Sequence, residues 1–197
     1  MARLGAKGVS ATAICAALYA VCSYATAYIP TPWIVQLRPA VVIPAVFAVL
    51  FGPLVGGLGA AIGTFIASIA TYGTAVLTIF SGTPANFACF YLLGKLSKPF
   101  STKNFVAAAA IGFLAGSVII AFGLWLLLTR FLFLIPAGTY AYVAVQGSLA
   151  AIAKDPASWV LATIVWTFGT GLMCTVLIGI PVLKACAAIA PSLSPKA

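Results

Sequence analysis

An all-α integral membrane protein of six transmembrane helices is the fold class this sequence predicts, and three observations carry it. The 197-residue chain is 64% apolar and 6% charged, against roughly 45–50% and about 25% in a soluble domain. Its mean hydropathy is +1.22, and several apolar runs approach the ~20 residues that cross a bilayer core. The basic residues gather at the ends of those runs, mostly on one side, which is the asymmetry that sets orientation. The whole chain, 1–197, reads as one transmembrane domain.

The first span, 9–29, follows Arg3 and Lys7 and is too long for the ~7–15-residue core of a signal peptide, so an uncleaved helix is expected. Pro30, Pro32 and Pro39 break the chain into a stiff loop that holds Trp33, Gln36 and Arg38. A short second span, 40–51, ends at Gly52-Pro53, a turn signal. The third, 54–70, is glycine-rich. An ambiguous stretch, 75–80, precedes Ser81-Gly82-Thr83-Pro84, which reads as a helix start for span four, 84–96. A basic loop with Lys95, Lys98 and Lys103 leads to span five, 105–128. A long, partly helical connection then reaches Lys154-Asp155-Pro156, where Asp155 suits a helix cap. Span six is 157–188, with Pro181 as a kink.

With the amino terminus inside, the cytoplasmic side receives Arg3, Lys7, Lys95, Lys98, Lys103, Lys184 and Lys196, and the outer side only Arg38, Arg130 and Lys154. Both termini are therefore expected in the cytoplasm. This scatter also accounts for the net charge of +9 without nucleic acid, because no basic patch forms.

One Asp, no Glu and no His remove most catalytic chemistry, since general acid–base work needs a tuned carboxylate or imidazole. No metal site is expected either. Cys15, Cys22, Cys89, Cys174 and Cys186 have no C-x-x-C spacing and read as small apolar residues in helices. The phosphate-binding G-x-x-x-x-G-K-[ST] pattern does not occur. Proton coupling through intramembrane acids has no groups to use. Energy for any transport must come from another subunit, and no cofactor is expected in this chain itself.

Two features point to recognition. Ala13 and Ala17, with Ala16 and Ala20 beside them, form small-residue stripes that let another helix approach closely, within the chain or from a partner. Gly56, Gly59 and Gly63 on span three, and Gly112 and Gly116 on span five, read as internal contacts. On the outer side stand Trp33, Gln36, Arg38, Asn86, Gln146, Trp159 and Trp166. An interfacial belt accounts for aromatics taken singly, and lipid phosphate is the plain partner for Arg38 and Arg130. Asn86, an amide in an apolar helix, needs either a neighbouring helix or a ligand. So few acids argue against a cationic substrate.

The stretch 38–68, R-P-A-V-V-I-P-A-V-F-A-V-L-F-G-P-L-V-G-G-L-G-A-A-I-G-T-F-I-A-S, resembles the substrate-binding S components of energy-coupling factor (ECF) vitamin transporters, most clearly in F-G-P-L-V-G-G-x-G-A-x-x-G. Length, six spans, inside termini and the alanine stripe extend the likeness. The resemblance implies capture of a small neutral or anionic vitamin at the outer face of a prokaryotic plasma membrane. It implies delivery through a transmembrane coupling subunit powered by two separate ATPases, which use the ATP. It also implies that Ala13 and Ala17 meet the coupling subunit and that Trp33, Gln36, Arg38, Asn86, Gln146, Trp159 and Trp166 belong to the ligand pocket. Many members carry an acid soon after the glycine-rich stretch, where this chain has Thr64, Ser68 and Thr71, so the vitamin class stays open. The competing readings are a ligand-free structural subunit of a larger membrane complex and an independent facilitator.

Overall fold

A computed structural model describes residues 5–27 and 35–189. Trp33, the prolines at 30 and 32, and the charged residues Arg3 and Lys196 lie outside that range. All described secondary structure is helical: α1 (Ala6–Ala25), α2 (Val42–Phe51), α3 (Pro53–Tyr72), α4 (Val76–Ile79), α5 (Gly82–Leu96), α6 (Thr102–Arg130), α7 (Tyr140–Lys154) and α8 (Pro156–Ile189). A 3-10 turn, Pro39–Val41, leads into α2, and another, Leu132–Leu134, follows α6.

At about 1.5 Å per residue, the 20 residues of α1 and of α3 reach ~30 Å, the thickness of a bilayer core. The 29 residues of α6 and 34 of α8 exceed it. These four helices are long and apolar enough to cross a membrane. Helices α2 and α5 are shorter, and α5 continues a broken line begun by α4.

The ends of the helices follow from local chemistry. Gly52 closes α2 at φ +107°, a region that favours glycine, and Pro53 starts α3 with the fixed φ a first turn requires. Gly73 ends α3 at φ +74°, its N–H reaching the Ile69 carbonyl at 2.9 Å. The Ser101 side chain caps α6 by accepting from the Asn104 N–H at 3.0 Å. Asp155 caps α8, accepting from the Ser158 N–H at 3.2 Å. The connection between α6 and α8 holds a full helix, α7, of 15 residues.

Close approaches define the path of the chain. Gly59 sits on Cys15 and Gly63 on Ala16 and Tyr19, so α1 and α3 run parallel. Gly57 meets Phe87, while Thr64 is near Gly82, so α5 runs antiparallel to α3. Gly112 and Gly116 lie against Cys89 on α5, and Gly171 on α8 lies against Phe113 on α6. The glycines of α3 and α6 are therefore internal seams: a Cβ on Gly56 would lie 2.3 Å from that of Ala48. In lipid, contact of this kind substitutes for a hydrophobic driving force between helices. Ala16 and Ala20 are buried, whereas Ala13 and Ala17 are exposed on the opposite face of α1.

Two apolar clusters result. The first joins Tyr19, Val46, Phe90, Leu93, Phe105 and Leu183 across α1, α2, α5, α6 and α8. The second joins Tyr72, Leu77, Leu127, Ile135, Val145 and Trp159 around the α3 end and α7.

Candidate binding site

Between the two clusters lies a cavity of about 850 Å³ of empty space, counting its mouth. Tyr19, Cys89 and Phe113 of the first cluster form part of its wall, and Tyr72, Leu77 and Leu124 of the second form another part. The break between α4 and α5 supplies Thr78, Ser81 and Gly82. Interrupted helical backbone inside a membrane is tolerated where it faces a cavity, and the α5 start brings the positive end of its dipole to this wall. Gly123 makes the arrangement possible, since a Cβ there would stand 2.1 Å from the Phe80 carbonyl oxygen.

The polar groups of the wall are uncharged apart from Arg38. Arg38 donates from Nε and Nη2 to Gln36 Oε1 at 3.1 and 2.9 Å, which fixes the guanidinium beside the cavity and leaves its other N–H groups free of that bond. Asn86 Nδ2 donates to Thr64 Oγ1 at 2.6 Å, so the amide is held by α3 while its residue still lines the cavity. Thr64 is fully buried, outside the residues that line the cavity, and reaches the site through this bond to Asn86. The chain's one side-chain carboxylate, Asp155, is not in this wall. It is exposed, and its bonds from the Ser158 O–H and N–H and the Ala157 N–H hold its pKa below the ordinary carboxylate range.

The structure thus brings together Gln36, Arg38 and Asn86 on the cavity wall. Trp166 stands behind it: its indole N–H donates to the Val35 carbonyl at 2.9 Å and ties the first loop to α8. Trp159 is buried in the second cluster, apart from the wall. Gln146 is exposed on α7, with its amide donating to the Tyr142 carbonyl. Trp33 lies outside the described residues. Sequence reading passed over Tyr19, Ser81, Phe113, Ser117, Thr167 and Thr170, all of which line the cavity. A signal existed for part of this set, because Thr163, Thr167 and Thr170 fall on one face of a helix.

The profile of the ECF-type riboflavin transporter S component family matches residues 3–187. The chain belongs to that family. No curated protein and no solved structure gave a significant match. Membership makes the chain a membrane-embedded, substrate-binding subunit of an ECF importer and not an enzyme. Its four long apolar helices agree with a multi-pass membrane protein. The cavity wall combines aromatic and aliphatic surface with a few fixed polar groups, the composition expected of a small-molecule site.

Proposed function

We propose that this S component binds riboflavin in the cavity between its two apolar clusters and delivers it through a transmembrane coupling subunit driven by two ATPase subunits. The observation that carries the reading is the chemistry of the wall: amides, hydroxyls and one guanidinium beside aromatic surface, with no carboxylate among its described residues. A flavin is a flat, neutral ring system bearing carbonyls and a chain of hydroxyls, and it calls for that mixture. A cationic vitamin would lack its counter-charge. The family description names the same vitamin.

Six spans with both termini in the cytoplasm of a prokaryotic cell complete the proposal. The short helix α2 and the broken line α4–α5 would serve as the two spans beyond the four long ones. Antiparallel seating supports the orientation, since it gathers Lys7, Lys95, Lys98, Lys103 and Lys184 at one end and leaves Arg38, Arg130 and Lys154 at the other.

Titration of riboflavin fluorescence with the purified protein tests the pocket. Saturable quenching is expected, and Arg38→Ala and Asn86→Ala each weaken it about tenfold, the loss expected for a hydrogen-bonding group. No quenching by the wild-type chain, or undiminished affinity in both variants, overturns the reading. The partner surface is tested separately. Ala13 and Ala17 are exposed, so Ala17→Trp should leave flavin affinity intact while abolishing uptake by the assembled transporter. Unchanged uptake removes α1 from the coupling interface.

A further inference from the structure

Serine and threonine in a helix ordinarily return their hydroxyl hydrogen to a carbonyl three or four residues earlier. Around the cavity most of them do. Thr78 donates to Ala75 at 3.1 Å, Ser117 to Leu114 at 2.9 Å and Thr170 to Trp166 at 2.7 Å. The amide of Asn86 is likewise engaged by Thr64.

Thr167 departs from that pattern. It lines the cavity, its Oγ1 is out of reach of water, and the oxygen has no hydrogen-bond partner among the described residues. Three other buried hydroxyls share this condition, on Ser23, Thr83 and Thr175, but none of those residues lines the cavity. Seating of Gly171 on Phe113 places Thr167 one turn away along α8, on the wall it shares with Ser117. A buried hydroxyl left unpaired is costly, whereas replacing it by a methyl of the same shape can be neutral or stabilising. Its persistence in the cavity wall makes sense where an occupant supplies the missing partner.

We propose that Thr167 holds the ligand, its side chain turning about χ1 on binding so that the hydroxyl, shielded in the empty cavity, hydrogen-bonds a polar atom of the bound flavin. The inference rests on the flavin reading above. It has a signature that a structural role would not give, because the hydroxyl helps only when the cavity is filled.

Riboflavin titrations and thermal unfolding of the full chain, with and without ligand, test it on the wild type, Thr167→Val and Thr167→Ser. Thr167→Val should weaken flavin binding about tenfold while the empty protein unfolds no lower than the wild type. Thr167→Ser, which keeps the hydroxyl, should stay within about threefold of wild-type affinity. Wild-type affinity in Thr167→Val overturns the inference and leaves the flavin reading standing. A lower unfolding temperature of empty Thr167→Val, or a Thr167→Ser variant as weak as Thr167→Val, also overturns it by assigning the side chain to packing. A wild-type chain that fails to bind flavin overturns the reading beneath it.

Discussion

The two apolar clusters are closed differently: backbone seams run through the first, whereas in the second the seam of Gly123 on the Phe80 carbonyl gives way to side chains around α7. In the first, small residues let backbones touch: Gly56 lies on Ala48, Gly94 on the Ala48 carbonyl and Pro53, and Gly112 on the Cys89 carbonyl. In the second, larger side chains such as Leu127, Ile135, Val145 and Trp159 fill the space around α7, and Gly147 on that helix has no neighbour within 4 Å of where its Cβ would be. Backbone-to-backbone seams tolerate almost no change of volume, whereas side chains filling a gap can shift rotamers. The packing around α7 therefore accommodates changes of volume that the backbone seams beside the cavity do not.

The same substitution in the two regions should break this symmetry most visibly. Gly56→Ala forces its new methyl into Ala48 and the Pro44 carbonyl, and a loss of about 1–3 kcal/mol of stability, read by thermal unfolding, is expected. Gly147→Ala meets open space within α7, and a gain of about 0.5–1 kcal/mol is expected from helix propensity alone. Equal effects at the two sites would dissolve the distinction.

The smallest effect belongs to Asp155, at the junction of the α7 region with α8. Bonds from Ser158 lower its folded-state pKa, so its capping contribution is fully present above the ordinary carboxylate range and is lost as pH falls through the lowered value. Wild-type and Asp155→Ala unfolding temperatures should differ near neutrality, with the wild type higher, and converge in acid. A constant gap across that range would assign the cap to something other than the carboxylate.

Much of the stiff region was legible in the chain. Glycine spacing on α3 and α6 announced close helix contacts, and Gly52-Pro53 and Asp155 marked helix boundaries through backbone and capping chemistry that local sequence expresses. The accommodating region was harder to read. Residues 140–154 mix Gln146, Gly147 and alanines with apolar residues, which blurs any helical stripe, and their helix is held by Trp159, Leu127 and Tyr72 from distant positions.

Legibility of the site followed the same division. Arg38 and Asn86 stand out as polar groups in apolar surroundings. Thr167 does not, because a lone threonine in a membrane helix normally satisfies itself, and only the geometry reveals that this one has not. Trp159 and Trp166 are indistinguishable by residue type, yet one anchors the second cluster and the other ties a loop to α8.

That tie gives the molecule an optical property. Trp166 is the residue before Thr167, and its indole is fastened to the Val35 carbonyl at the edge of the cavity. Indole emission overlaps flavin absorption, so under the riboflavin proposal excitation of the chain's four tryptophans, Trp166 among them, would pass to a bound flavin. The protein carries its own donor dye, fixed in orientation by a single N–H, and filling and emptying of the site could be followed in time with nothing attached.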